Sequence, residues 1–349
     1  MCFSSNDGGM ELDAIKLADL LHEDCDVTLL CKNKSFIHQR LKDQSRIKYV
    51  PVRFLSRKFS LSMLFSVRRE IKNKKIKNVV FFGASELKTL HFAFLGFDLN
   101  VIVRHGTTKS HPKIDWLHRL VYSHVNHHVA LSQHLLRNVR QIVPSTPGVD
   151  YRIIYSSFEF SETITEQKTD SEALVITHVG RIARGKGQID AVIACKKLAA
   201  AEMDFRLELL GGVEDAAVEK ELKYEIERLG LAERVNLRGH VNNVSEVLSY
   251  TDIFLFPSAG EGMPNAFIEA LHYGVPCLAY SNTVFPELVD MGFYVHLVTD
   301  GDVDALSQAL LDVVSDIGNE KHLSKNNIDL AKDYFQVERE LSDWHTILI

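Results

Sequence analysis

Short, unbroken apolar runs alternate with helical patterns along almost the whole chain, and this alternation limits the fold more than any other feature. The runs fall at 27–31, 79–83, 100–104, 128–131 and 152–155, then at 174–180, 206–211, 235–239, 252–257, 276–280 and 292–296. They are continuous rather than alternating in polarity, as parallel strands covered on both faces require. Between them lie segments of helical spacing, such as 188–201, 216–229 and 265–273. Such a repeat implies βαβ units and open parallel sheets.

At 349 residues the chain exceeds what one hydrophobic core serves, so two doubly wound α/β domains are expected. The polar, aperiodic stretch EFSETITEQKTDS at 159–171 marks the break. The expected division is a first domain over 1–160, a linker over 161–172 and a second domain over 173–325. A helical segment over 326–349 then packs back towards the first. No run approaches the roughly 20 apolar residues of a membrane-spanning helix. The first ten residues also lack a basic-then-apolar leader, so the expected setting is the cytoplasm. Five scattered cysteines without CxxC spacing suit buried thiols rather than disulfides or zinc.

Ligands of open parallel sheets bind beyond the carboxyl ends of the strands, which directs attention to the residues after each run. After 174–180 comes Arg181-Ile182-Ala183-Arg184-Gly185-Lys186-Gly187-Gln188, leading into a helix. Two glycines let backbone approach a ligand, and the helix start offers unpaired N–H groups. Arg181 can grip two phosphate oxygens with its planar fork, and Lys186 adds a compact charge. Together they make an anion site suited to a diphosphate, although a basic turn with solvated side chains has the same composition.

The segment after 252–257 is more specific: Ser258-Ala259-Gly260-Glu261-Gly262-Met263-Pro264-Asn265-Ala266-Phe267-Ile268-Glu269. Glu261 lies in the loop, and proline is tolerated where the helix starts. Glu269 follows eight residues later, roughly two helical turns on, facing the same way. A carboxylate accepts several hydrogen bonds, which suits sugar and ribose hydroxyls. Glu261 is placed to hold a transferring sugar and Glu269 to clasp a ribose.

With VGRIARGKG, TDIFLFPS and YGVPCLAY, the Glu-x7-Glu arrangement in EGMPNAFIEAL resembles the retaining glycosyltransferases of family 4, the glycosyl transferases group 1. The resemblance covers nearly the whole chain, most densely 175–289. It implies the GT-B fold, two Rossmann-like domains facing a central cleft, and transfer from a nucleotide-diphosphate sugar with UDP as the expected nucleotide. Arg181 and Lys186 would bind the diphosphate and aid departure of the leaving group. Glu261 with Gly262, Met263, Pro264 and Asn265 would hold the sugar and its phosphate, and Glu269 the ribose. His240 and Val241 would lie against the base. In the first domain, Gly8 and Gly9 of Asp7-Gly8-Gly9-Met10-Glu11 resemble the glycine-rich turn near the donor phosphate. His105 in RHGT matches a histidine facing the donor sugar, and Ser132 the serine turn of HVALSQHL. No metal or other cofactor is implied.

The chain departs from the family pattern in three places. Only the end of a first strand is present, Cys2-Phe3-Ser4-Ser5, so either an upstream start is missing or a sheet edge is weakened. Ser156-Ser157-Phe158-Glu159 replaces an Asn-Gly-x-Asp, and Thr283-Val284 replaces the glycine pair before Pro286-Glu287.

The net charge of −6 conceals a strong asymmetry: between Lys32 and Lys77 stand fifteen Lys or Arg against Asp43 and Glu70. With Phe54, Phe59 and Phe65 among the cations, this segment suits peripheral contact with an anionic membrane. Nucleic acid is not expected, for no recognition motif or stacking platform accompanies the charge. The histidines at 118, 124, 127, 128 and 134 include an i,i+4 pair, His124 and His128, on a possible helix. Without a carboxylate or cysteine at ligand spacing they are taken as helix-surface residues. The expected acceptor is a cell-envelope glycan or glycolipid of lipopolysaccharide, O-antigen or capsule. A nucleotide-sugar epimerase of the same fold and a sugar-nucleotide-binding protein without turnover are the alternatives.

Overall fold

The computed structural model describes residues 1–5, 8–44, 46–54, 60–83, 86–158, 160 and 173–348, positions 43 and 44 by backbone alone. The expected linker 161–172, Asp7, Phe59 and Glu159 lie outside the described residues. The chain divides into two compact units, one of Met1–Ser157 with Val337–Ile349 and one of Phe158–Gln336.

The first unit runs α1 (Gly9–His22), β1 (Thr28–Lys32), α2 (Phe36–Gln44), β2 (Lys48–Val52), α3 (Leu61–Lys74), β3 (Asn78–Phe82), α4 (Leu87–Phe94) and β4 (Asn100–His105). It continues with α5 (Trp116–Tyr122), β5 (Val125–Ala130), α6 (Gln133–Ile142) and β6 (Asp150–Ile153). All strand pairs are parallel, β1 with β2 and β3-β4-β5-β6 in order. Cys2 joins the two groups by pairing with both Cys31 and Phe82. Its N–H donates to the Leu30 carbonyl at 3.0 Å, and Phe82 N–H donates to the Met1 carbonyl at 2.9 Å. The residues read as the end of a first strand therefore sit inside the sheet, between β1 and β3, rather than at an edge. One face of this sheet is covered by α3, α4, α5 and the end of α6, around Met63, Val67, Leu90, Phe94, Tyr122 and Val139. The other face is covered by α1 and α2 with a helix from the chain's end.

The second unit runs β7 (Leu174–Val179), α7 (Gln188–Ala200), β8 (Phe205–Leu210), α8 (Ala216–Arg228), β9 (Val235–Gly239), α9 (Val244–Leu248) and β10 (Ile253–Phe256). Then come α10 (Asn265–His272), β11 (Cys277–Tyr280), α11 (Phe285–Asp290), β12 (His296–Val298), α12 (Val303–Ser315), α13 (Ile317–Ser324) and α14 (Asn326–Phe335). Its sheet is parallel with strand order β12-β11-β10-β7-β8-β9. The chain winds outward from β7 in one direction, then returns to β10 and winds outward in the other. The topological switch point therefore lies between β7 and β10, where such folds bind ligands.

The helical tail divides. Residues up to Gln336 belong to the second unit, where α14 packs on α10, while α15 (Val337–His345) belongs to the first. A buried arginine explains the return of α15. Arg104, 2% exposed, donates to Asp13 on α1 at 2.6 and 3.0 Å and to Ser156 at 2.7 Å. It also contacts Glu340 on α15 at 3.4 Å and lies 5.3 Å from the Trp344 ring. Glu340 in turn accepts from the N–H and hydroxyl of Ser157, at 2.6 and 2.8 Å. A charge this deeply buried persists only with partners on several sides, and these tie three segments together.

Candidate functional site

The β7–α7 and β10–α10 loops meet at the switch point of the second unit. Gly185 and Gly187 both hold left-handed backbone, with φ of +79° and +84°. Gly187 has a second constraint, because a Cβ there would stand 2.2 Å from the Pro257 carbonyl oxygen. The loops are joined directly: Ala259 N–H donates to the Gly185 carbonyl at 2.9 Å, and Ser258 Oγ lies 3.2 Å from the same oxygen.

Lys186 and Glu261 come together here. Lys186 Nζ stands 2.7 Å from Glu261 Oε1, and Ser258 Oγ donates to that same oxygen at 2.8 Å. Both charged side chains remain partly open, 27% for Lys186 and 14% for Glu261. His178, buried at the end of β7, has Nε2 2.8 Å from the Lys186 carbonyl. Burial holds its pKa down, from 6.5 to about 4, so the ring is a neutral donor that fixes the loop. Gln188 adds bonds to the carbonyls of Gly180 and Arg181, at 3.1 and 2.9 Å. Neither α7 nor α10 has a side chain capping its first turn. Two helix N-termini thus leave N–H groups and positive dipole ends at the switch point.

Arg181 turns to Glu214 after β8, at 2.5 Å, and makes no direct contact with Lys186 or Glu261 among the described residues. Gly262, Met263, Pro264 and Asn265 form the turn into α10, with Met263 and Pro264 buried. Glu269 is half-buried on α10, and burial raises its carboxyl pKa; among the described residues no cation meets it. His240 is exposed and Val241 half-buried beyond β9 at the sheet's outer strand. Gly8 and Gly9 open α1 in the first unit, where Gly8 N–H donates to Glu11 Oε2 at 3.0 Å. His105, 3% exposed at the end of β4, has Nε2 2.9 Å from Nδ1 of His128. Burial first, then the charges of His128, Lys109 and Lys113, hold it well below its ordinary pKa. The expected helix carrying His124 and His128 is not formed: β5 begins at Val125, so His128 is a buried strand residue. Among the described residues no His, Cys, Asp and Glu group is arranged to hold a metal ion.

Thr283, expected only as a replacement for glycine, holds the Glu261 loop. Its Oγ1 accepts from the Glu261 N–H at 3.2 Å, although it is a β-branched residue with φ of +45°. Asn282 beside it donates to the Ser258 carbonyl at 3.0 Å and to Asp300 at 2.5 Å. The replaced glycine pair was the available signal, since only a strained threonine could stand where glycine is comfortable.

Residues 159–329 match the family model for glycosyl transferases group 1. The second unit belongs to that family. The group 1 domain and the first unit together have the GT-B fold, two Rossmann-like α/β domains with parallel sheets. The chain is similar to a glycosyltransferase structure from Rickettsia africae ESF-5, with a TM-score of 0.85 and 15% identity over 99% of this chain and 96% of that one. It is 26% identical over 337 residues to the UDP-Gal:alpha-D-GlcNAc-diphosphoundecaprenol alpha-1,3-galactosyltransferase of Escherichia coli, spanning 88% of this chain and 85% of that protein. It is 24% identical over 260 residues to the N-acetyl-alpha-D-glucosaminyl L-malate synthase of Bacillus anthracis, 71% of this chain and 66% of the relative.

Proposed function

We propose that the protein is a retaining, metal-independent glycosyltransferase that moves a sugar from a UDP-sugar to a cell-envelope glycan or lipid-linked saccharide. The observation that carries this reading is the Lys186–Glu261 pair at the switch point, set between two uncapped helix N-termini. A diphosphate needs positive charge and N–H donors, and both are at hand. In this reading the diphosphate draws Lys186 away from Glu261 and takes up N–H groups of the two helix starts. Arg181 exchanges Glu214 for phosphate. Glu261, freed on one side and still held by Ser258, accepts from a sugar hydroxyl. Glu269, carrying no cation partner, accepts from the ribose hydroxyls.

Negative charge grows on the outer phosphate as the glycosidic bond breaks, and Lys186 and Arg181 stabilise it in place of a divalent ion. His105 is held neutral, so it serves as a hydrogen-bonding group rather than a proton carrier. The lipid diphosphate named in the Escherichia coli relative makes a lipid-linked acceptor the favoured choice, with the reaction on the cytoplasmic side.

The test is release of UDP from a panel of UDP-sugars, with and without a lipid-linked acceptor and with EDTA. Acceptor-dependent release that EDTA leaves unchanged is expected. Lys186→Ala should lower turnover by about two to three decades, the loss for one preorganised contact. UDP release without acceptor dependence, or turnover by Lys186→Ala at the parent rate, would overturn the reading. An isomerised sugar nucleotide would identify the epimerase instead.

A further inference from the structure

Twelve large hydrophobic side chains are exposed among the described residues, and eight of them belong to one layer of the first unit. Leu61 and Phe65 stand out from α3, and Phe92 and Leu95 from the end of α4. Ile114 leads into α5, which exposes Trp116, Leu117 and Leu120. Trp116 is 77% exposed and Phe65 65%, so most of each ring meets water. The other four are scattered over α1, the turn after β8, α8 and α11.

The three helices lie side by side, α4 in contact with both α3 and α5. Each buries its opposite side in the same core: Met63 and Val67 from α3, Leu87 and Leu90 from α4, Val121 and Tyr122 from α5. The exposed residues therefore share the outer surface of one layer, and an apolar surface shared by three helices marks an interaction site.

Charge selects the partner. Within 61–74, 87–94 and 113–122 there are seven Lys or Arg against two acids; Arg68 turns to the carbonyls at the end of α4 and Lys74 to Thr28, which leaves Arg69, Lys72, Lys88, Lys113 and Arg119. Both acids are engaged locally: Glu70 meets Arg69 and Lys74, while Asp115 caps α5 and binds His118. Three cations of 32–77 outside these helices are engaged elsewhere. Arg46 pairs with Asp19 and Lys48 with Asp26, and Lys32 donates to Ser5. A second copy meeting this surface symmetrically would bring like charges together. Tryptophan, phenylalanine and leucine among cations suit the boundary of an anionic bilayer.

We propose that the outer surface of α3, α4 and α5 docks the protein on a bilayer containing anionic lipid, with Trp116 and Phe65 entering the headgroup boundary. The site lies partly inside the basic segment but is centred beyond it, on α4 and α5. It stands independently of the donor reading above.

Sedimentation of the full chain with phosphatidylcholine vesicles, with and without phosphatidylglycerol, tests it. Binding to the mixed vesicles is expected, weakening as salt rises. The double variant Trp116→Ser/Phe65→Ser should bind about tenfold more weakly while melting like the parent, since both side chains are exposed. Lys88→Glu or Arg119→Glu should each cost about fivefold or more on mixed vesicles. Tyr224→Ser, exposed on the second unit, should change nothing. Unweakened binding by the double variant, or equal binding to neutral vesicles, would overturn the proposal. Absence of vesicle binding together with dimers in light scattering would assign the surface to self-association instead.

Discussion

Replacing Gly187 by alanine tests how closely the two loops of the group 1 domain approach. The new Cβ would lie 2.2 Å from the Pro257 carbonyl oxygen and 2.5 Å from its carbon, on backbone at the end of β10. That backbone is held in the middle of the sheet and cannot rotate away as a side chain could. Left-handed geometry at φ +84° costs a non-glycine residue about 1–2 kcal/mol. The overlap adds about 1–3 kcal/mol. Gly185→Ala is the internal control. It has nearly the same backbone, φ +79°, but its Cβ would meet only Ala259 Cβ at 3.7 Å. Gly185→Ala should thus cost about 1–2 kcal/mol and Gly187→Ala about 2–5 kcal/mol. For a domain of this size, each kcal/mol lowers Tm by about 2–4 °C. Calorimetry of both variants should place Gly187→Ala clearly below Gly185→Ala. Only Gly187→Ala should also weaken UDP binding strongly, because relief of the overlap shifts the β7–α7 loop, and with it Lys186 and the start of α7, away from the switch point. Equal melting of the two variants would refute the close approach of the loops.

Two further outcomes follow from the same neighbourhood. Thr283→Gly relieves about 1–2 kcal/mol of left-handed strain but loses a hydrogen bond worth about 1 kcal/mol and frees the unfolded chain. These nearly cancel, so Tm should hold within about 3 °C while KM for the donor rises as the Glu261 loop loosens; a large stability change would contradict it. Stability should also fall on acidification. His178 and His128 each titrate near 4 in the fold against 6.5 when exposed, so between those values the unfolded chain binds more protons. Stability is intact above 6.5 and is lost as pH falls through 4, by about 3 kcal/mol for His178. Urea titrations should show a shallower slope in this window for His178→Gln.

The parts of the fold visible in sequence were those with local causes. The strand at 235–239 has the bounds expected, and the turn Gly185-Lys186-Gly187 stands where its glycines put it. What stayed hidden depends on distant partners. Strand β2 carries Pro51 and buries only Val52 fully, so it lacks the buried apolar run of a central strand, as an edge position allows. The last strand, expected at 292–296, lies at His296–Val298 because Gly292 takes φ +99° in a turn. The partners of Arg181 and Glu261, Glu214 and Thr283, come from loops after other strands, and no local spacing announces such pairs. The basic segment was legible only as a sum, since charge counted along a sequence does not say which face carries it.

The ion pair at the switch point also implies an order of events. Lys186 and Glu261 are each other's partner until something more negative arrives, and both are open enough for water to reduce what the pair is worth, to about 1 kcal/mol. A diphosphate must compete with that carboxylate for the lysine, whereas a sugar needs the carboxylate after the lysine has left. UDP should therefore bind on its own and a free hexose should not. Glu261→Gln separates the two roles. Without the carboxylate, Lys186 is no longer held in reserve, so UDP should bind up to about fivefold more tightly by calorimetry. Turnover should fall in the same variant, because a carboxamide is a weaker acceptor for the sugar hydroxyl than a carboxylate. If affinity for UDP and turnover fell together, Glu261 would be acting on the diphosphate end of the donor, and the division of labour between the two side chains would have to be redrawn.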